Sequence, residues 1–470
     1  MKKFFSKYKL IIFLILIALF LRMPWLHTTI HKDEGHFGLL SWQFLEGEGL
    51  YIPSLDDNKP IGLYIIYSIP IAIFGNSIIA VRMLNNLLFF ISIIFFFKIV
   101  EMIFSKKEAF YATLFYIFFM NIPVFEGYFA LSEPLLVPFM IASIYFFQKF
   151  ISTKKGYMFF ISSILATFSV FIKHQSLFIF LILLGGLFIY NQKNKIRKSA
   201  IILGLPTLFF LFFLFKYNYY TMRFITSNFF ILHNKLVGFA SGYRPYAYNL
   251  PLLIEGSVLL LFAIIGFVII FKTKRTKHHN FLVLWVLSAA VFSFIPPAYG
   301  HYFCMLIPPL CVLAGIALFD TINNYKKRIL LIILAALLLI ITLTLVSQHY
   351  PNTNLHMNHL KERWSSFNSY DSQIKLINFI KSKTDPGEKI VIIEWEPSIY
   401  WLSERMPPKN VGIAIRRPER FNYYLRTINK SQDEIELLVT IMPMEGLENG
   451  FPFLTNKTIV SRSYVFDVQH

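Results

Sequence analysis

Two acidic residues stand side by side in His31-Lys32-Asp33-Glu34-Gly35-His36, directly after the first apolar segment of this 470-residue chain. Carboxylates next to a membrane-length apolar run are costly to place, and they usually have a task there. An ionised carboxylate within hydrogen-bond reach of a hydroxyl would act as a general base. The plainer alternative is a solvated loop start in which Asp33 caps a helix over Gly35–Glu46. Further on, Lys59 lies in Asp56-Asp57-Asn58-Lys59-Pro60-Ile61-Gly62-Leu63-Tyr64, at the edge of another apolar stretch. An ammonium at that depth would meet a lipid phosphate, or simply snorkel to the interface. Arg82 and Lys173 are further phosphate candidates, with snorkelling again the alternative for Arg82. His31 and His36, beside Asp33 and Glu34, are weak candidates for holding a divalent ion.

The elements that must position these residues follow from composition. The chain is 56% hydrophobic and 15% charged, with 53 Phe, more apolar surface than a soluble fold can hide but suited to a bilayer. Its net charge of +19 would suggest nucleic acid in a soluble protein; here the cations sit in short clusters between apolar runs, as membrane topology requires. The two cysteines, Cys304 and Cys311, lie inside one apolar run and provide no disulfide framework.

Apolar segments fall near 10–26, 82–101, 108–126, 132–149, 156–172, 175–190, 199–217, 250–271, 280–296, 301–319 and 329–347. Alternate connections carry Lys2/Lys3/Lys7/Lys9, Lys98/Lys106/Lys107, Lys149/Lys154/Lys155, Lys193/Lys195/Arg197/Lys198, Lys272/Lys274/Arg275/Lys277 and Lys326/Lys327/Arg328. The positive-inside rule then predicts an α-helical polytopic membrane protein of about eleven spans, with its N-terminus cytoplasmic. Residues 61–74 are too short to span and would reverse every later cluster, so 27–81 reads as one outer loop with an interfacial helix. The membrane domain covers 1–347. Residues 348–470 read as a small extracytoplasmic α/β domain, with helices at 371–383, 397–403 and 418–429 and strands at 389–394, 435–440 and 458–466.

With that sidedness, the motif order resembles one family. Asp33-Glu34 opens the first outer loop, followed by Lys59-Pro60 and then Gly75-Asn76 with Arg82. Ser132-Glu133-Pro134, Ile172-Lys173-His174-Gln175, Tyr299-Gly300-His301-Tyr302 with Pro308-Pro309, and Ile399-Tyr400-Trp401-Leu402-Ser403 come after. The pattern is similar to the GT-C superfamily, in its branch of protein O-mannosyltransferases and lipid A aminoarabinose transferases. The resemblance implies an inverting glycosyltransferase of the plasma membrane. It would move a sugar from a polyprenyl-phosphate carrier to an acceptor hydroxyl of a protein, lipid or glycan on the outer face. It implies Asp33 as general base, Glu34 as an orienting residue and Lys59 as the partner of the donor phosphate, with Arg82 and Lys173 assisting. His36, Tyr64, Arg244, His301 and Tyr302 would line the substrate cavity. Some relatives have a carboxylate where this chain has Asn58, which weakens the case for a metal there; the resemblance fixes no cofactor, and a divalent ion is the one candidate.

Two other classes fit a polytopic chain: a lipid or glycan transporter or flippase, and an O-antigen-type ligase or polymerase. A transporter would show internal repeats and charges near the bilayer midplane, whereas the notable charges here gather at one interface. A ligase would concentrate them in a large central outer loop. For the tail, the sequence predicts an accessory role in presenting the acceptor or covering the cavity.

Overall fold

The computed structural model describes residues 2–47, 59–216, 255–294, 299–323, 370–392, 396–407, 432–440, 454–460 and 463–468. Helices occupy each apolar segment read from the sequence except 329–347, which lies outside the described residues. They are α1 (Lys2–Arg22), α2 (Lys32–Leu45), α3 (Ile61–Phe74), α4 (Ile78–Ile103), α5 (Lys106–Phe119), α6 (Ser132–Thr153), α7 (Gly156–Ile172), α8 (Phe178–Ile189), α9 (Lys195–Lys216), α10 (Ser257–Lys272), α11 (Lys277–Ser293) and α12 (Ile307–Asn323). Among the described residues, three stretches, Lys9–His27, Ile78–Ile103 and Ser132–Thr153, are long and apolar enough to cross a membrane. Shorter apolar helices include Ile61–Phe74, Gly156–Ile172, Ser257–Lys272 and Ile307–Asn323. The runs outlast the helices because several end in tight turns: α5 gives way to the 3-10 turn Pro123–Phe125, and the run at 301–319 opens with the 3-10 turn Gly300–Met305 before α12.

The chain forms two compact units, Met1–Trp25 with Lys59–Leu63 and Arg82–Leu345, and Leu26–Asn58 with Tyr64–Val81 and Val346–His470. In the first, close helix packing follows from small residues and polar cross-links, the usual means where lipid removes the hydrophobic drive. The Ser143 hydroxyl on α6 donates to the Ser162 carbonyl of α7, and the Ser162 hydroxyl donates back to the Ser143 carbonyl, both at 2.8 Å. Gly315 on α12 lies so near α5 that a Cβ there would come 2.6 Å from the Ala112 nitrogen. Gly266 on α10 meets the Leu313 carbonyl of α12 in the same way.

The second unit contains a four-stranded sheet of β1 (Ile390–Ile392), β2 (Leu437–Thr440), β3 (Leu454–Val460) and β4 (Ser463–Val468), in the order β1-β2-β4-β3. Strands β1 and β2 are parallel, with Ile390 opposite Leu437, and the other pairs are antiparallel. Helix α13 (Tyr370–Lys383) buries Gln373, Leu376, Ile377 and Ile380, the spacing of a single helical face. Helix α14 (Pro397–Ser403) starts on a proline, which suits a first helical position, and ends at Glu404 in the left-handed conformation. The single strand expected near 458–466 is a hairpin, because the polar pair Ser461-Arg462 separates two β-rich runs. The helix expected at 418–429 lies outside the described residues.

Substituting Gly315 or Gly266 by Val should lower stability by about 1–3 kcal/mol through overpacking, seen as an earlier thermal unfolding midpoint in detergent. Gly204→Ala, where an added Cβ meets nothing within 4 Å, should not lower the midpoint. An unchanged midpoint for Gly315→Val would contradict the packing described.

Candidate active site

Three of the sequence motifs converge inside the first unit. Glu133 is the second residue of α6, where the helix dipole favours a carboxylate, and it is completely buried. Its Oε2 accepts from the Ser132 hydroxyl at 2.7 Å, and its Oε1 is paired with the Lys173 ammonium. Lys173 ends α7 in an extended conformation (φ −154°, ψ 126°), which turns the chain into the 3-10 turn His174–Leu177. The ammonium also lies 4.1 Å from the centre of the Tyr302 ring, a cation–π contact. His301 completes the group: its Nδ1 is 2.6 Å from Glu126 Oε2, and its Nε2 is 3.9 Å from Glu133 Oε1. The Tyr302 carbonyl accepts from the Ser293 hydroxyl at 3.0 Å. Lys173, His301 and Tyr302 are thus brought together as expected residues. Glu126 was not visible as a member, although it stands in a left-handed conformation (φ 53°) that few residues other than glycine adopt.

Arg82 is buried, not snorkelling. Its Nη1 donates to the Trp25 carbonyl at 3.4 Å, and its guanidinium stands 5.4 Å from the Phe129 ring centre. The neighbouring Asn85 amide donates to the Tyr128 and Phe129 carbonyls, which holds that loop against α4. A second buried arginine, Arg22, ends α1 with Nη1 3.4 Å from Asn86 Oδ1 and its guanidinium 4.1 Å from the Phe89 ring centre. The only hint of it in the sequence was an arginine closing an apolar run. Lys59 also belongs to the first unit and stands half-buried just before α3. Arg244 lies outside the described residues.

In the second unit, α2 carries the acidic pair in its first turn. The cap is His31 and not Asp33: His31 is extended (φ −69°, ψ 141°), and its Nδ1 accepts from the Asp33 amide at 3.1 Å. Glu34 Oε2 accepts from the His31 amide at 3.1 Å, closing a reciprocal capping box. Glu34 is therefore built into the helix start, while Asp33, half-buried, lies one residue before it. The segment is fastened on both sides. The Ile30 amide donates to Gln373 Oε1 on α13 at 2.9 Å, and Lys32 pairs with Glu396 at 3.2 Å. His36 and Tyr64 are buried, and Tyr64 lends its carbonyl to the Ser68 hydroxyl at 2.7 Å.

The donor set proposed for a divalent ion does not assemble. His31 Nδ1 is committed to the helix cap, and among the described residues no three His, Cys, Asp or Glu side chains gather at a metal-binding spacing.

Residues 58–217 match the family described as dolichyl-phosphate-mannose-protein mannosyltransferase. In three dimensions the chain is similar to ArnT from Cupriavidus metallidurans, solved bound to undecaprenyl phosphate. The TM-score is 0.65 at 14% identity, over 98% of this chain and 98% of that one. It is also similar to the oligosaccharyltransferase of Archaeoglobus fulgidus in the apo form (TM-score 0.61, 12% identity, 93% of this chain and 70% of that one). The archaeal oligosaccharyltransferase AglB of that organism, in complex with an inhibitory peptide and a dolichol-phosphate, gives a TM-score of 0.59 at 13% identity, with 93% and 70% covered. None of the curated proteins matches the chain by sequence. At these identities the likeness is one of fold, and the fold is the one the motif order led us to expect.

Removing one partner of a buried ion pair strands the other charge, at a typical cost of about 3–5 kcal/mol. Glu133→Gln or Lys173→Met alone should therefore destabilise the first unit strongly, whereas the double variant should recover most of the loss. A double-mutant cycle on unfolding in detergent measures this; additive losses would show that the pair carries no coupling.

Proposed function

Taking the GT-C fold as the premise, we propose that this chain is a membrane glycosyltransferase that uses a polyprenyl-phosphate-linked sugar. The acceptor hydroxyl gives its proton to Asp33, and its oxygen bonds to the anomeric carbon on the face opposite the phosphate. The bond from that carbon to the phosphate oxygen breaks, and its electron pair leaves with the polyprenyl phosphate. The configuration inverts. Lys59 neutralises the phosphate as it departs, the interaction that strengthens most on the way to the transition state. Glu34 acts through the capping box, by keeping the first turn of α2 in shape. As the family resemblance implies, Arg82 and Lys173 assist Lys59 at the donor phosphate, and His36, Tyr64, Arg244, His301 and Tyr302 are the residues that would contact the substrate.

The observation that carries this reading is the start of α2. Its cap bonds are made by His31 and Glu34, and the same first turn carries Asp33, the acid that the motif order matches to the family's base. The match of residues 58–217 to the family described as dolichyl-phosphate-mannose-protein mannosyltransferase supports it, as does the two-way coverage with ArnT, a protein solved with undecaprenyl phosphate. The loop charges favour an outer-face reaction in a bacterial plasma membrane, with the N-terminus cytoplasmic and the segment after 347 outside.

Asp33→Asn should reduce turnover by about 100-fold or more, the usual loss on removing a general base, while undecaprenyl phosphate still binds. Lys59→Ala should weaken undecaprenyl phosphate binding, and Lys59→Arg should restore part of it. Full turnover in Asp33→Asn protein would exclude Asp33 as the base.

A further inference from the structure

We propose that Ser398 and Trp401, on the short helix α14, are positioning residues that set where Asp33 stands. The inference rests on the reading of Asp33 as the base, and it gives the C-terminal segment a part in the reaction itself.

Helix α2 has glycines at positions 35 and 38, one turn apart on a single face, and α14 offers residues 398 and 401 at the same spacing. A Cβ on Gly35 would lie 2.5 Å from the Ser398 backbone nitrogen, and one on Gly38 would overlap the Trp401 ring. Glycine inside a helix costs about 1 kcal/mol relative to alanine. Two of them within the 14 residues of α2 are repaid only by this close approach. The contact is backbone against backbone at Gly35, two residues after Asp33. No flexible side chain intervenes, so any shift of α14 is passed directly to the first turn of α2.

Helix α14 is itself fixed on three sides. The Trp401 indole N–H donates to Asn76 Oδ1 at 2.7 Å. The Tyr400 hydroxyl accepts from the Ile392 amide of β1 at 2.8 Å, and burial pushes that phenol up, so it stays neutral. Just before the helix, Glu396 holds Lys32 at 3.2 Å, beside Asp33 in sequence. The sheet is thereby linked through α14 to the acidic turn, a rigid support of the kind a general base requires. A misplacement of about 1 Å can cost 100-fold in rate without removing any reacting group.

The test uses the full chain in lipid nanodiscs and in cells. Gly38→Ala forces a methyl onto the Trp401 ring, and Trp401→Phe removes the ring that the methyl would meet. Gly38→Ala is expected to lower the amount of envelope product that depends on Asp33 by at least tenfold. Undecaprenyl phosphate binding, followed by native mass spectrometry, should stay within twofold. The double variant Gly38→Ala/Trp401→Phe should regain much of the product, and Trp401→Phe alone should lose about twofold. Hydrogen exchange should speed up in α2 and not in α5 to α8, which separates a local shift from misfolding. Full product in Gly38→Ala cells, or equal losses of product and of undecaprenyl phosphate binding, would overturn the positioning role. If Asp33→Asn also leaves the product at full level, the assignment of the base fails, and this proposal falls with it.

Discussion

A charge buried in a protein made mostly of apolar residues has to meet its opposite inside the fold, because lipid and side-chain hydrocarbon offer it nothing. In the first unit that requirement is met by Glu133 and Lys173, both almost without exposure. The pair ties the start of α6 to the end of α7, and His301 extends it to Glu126 and to the 3-10 turn before α12. Three segments far apart in sequence therefore end at one point. Other helices of the unit carry the reverse pattern on their outward faces, with Phe20 on α1 and Phe188 on α8 largely exposed, as residues that face lipid would be.

The second unit answers a different requirement. The acidic turn that carries Asp33, the residue proposed as base, opens α2, and it has to be held in place by its surroundings. That turn is closed by its own side chains, His31 and Glu34. Its flank is closed by elements from the far end of the chain: Gln373 on α13, Glu396, and α14. The loop and the tail fold as parts of one unit, so the acidic turn owes its position to residues more than 300 positions away.

Local features of this architecture were legible in the sequence. Ile61–Phe74 and Pro397–Ser403 are helices with the expected bounds, because an apolar run or a proline start defines each end. Residue preference offered Asp33 as one possible cap of α2; the structure uses His31, whose ring nitrogen does the same work but is not among the favoured caps. Arg82 could be read equally well as snorkelling, since nothing in a linear sequence shows that a carbonyl and an aromatic ring wait beside it. Glu126 was missed for the same reason: its partner His301 is 175 residues away, and such a pairing leaves no periodic trace. Motif order nevertheless selected the right fold, because sidedness and sequence order together constrain what single degenerate motifs do not.

The central claim is that a polyprenyl-phosphate sugar is consumed by this chain. Mass spectrometry of lipid extracts and envelope glycans from cells with and without the protein tests it directly. One polyprenyl-phosphate sugar should accumulate when the protein is absent, while one protein, lipid or glycan loses a residue of the same mass. Identical carrier-lipid and glycan profiles in the two extracts would contradict it.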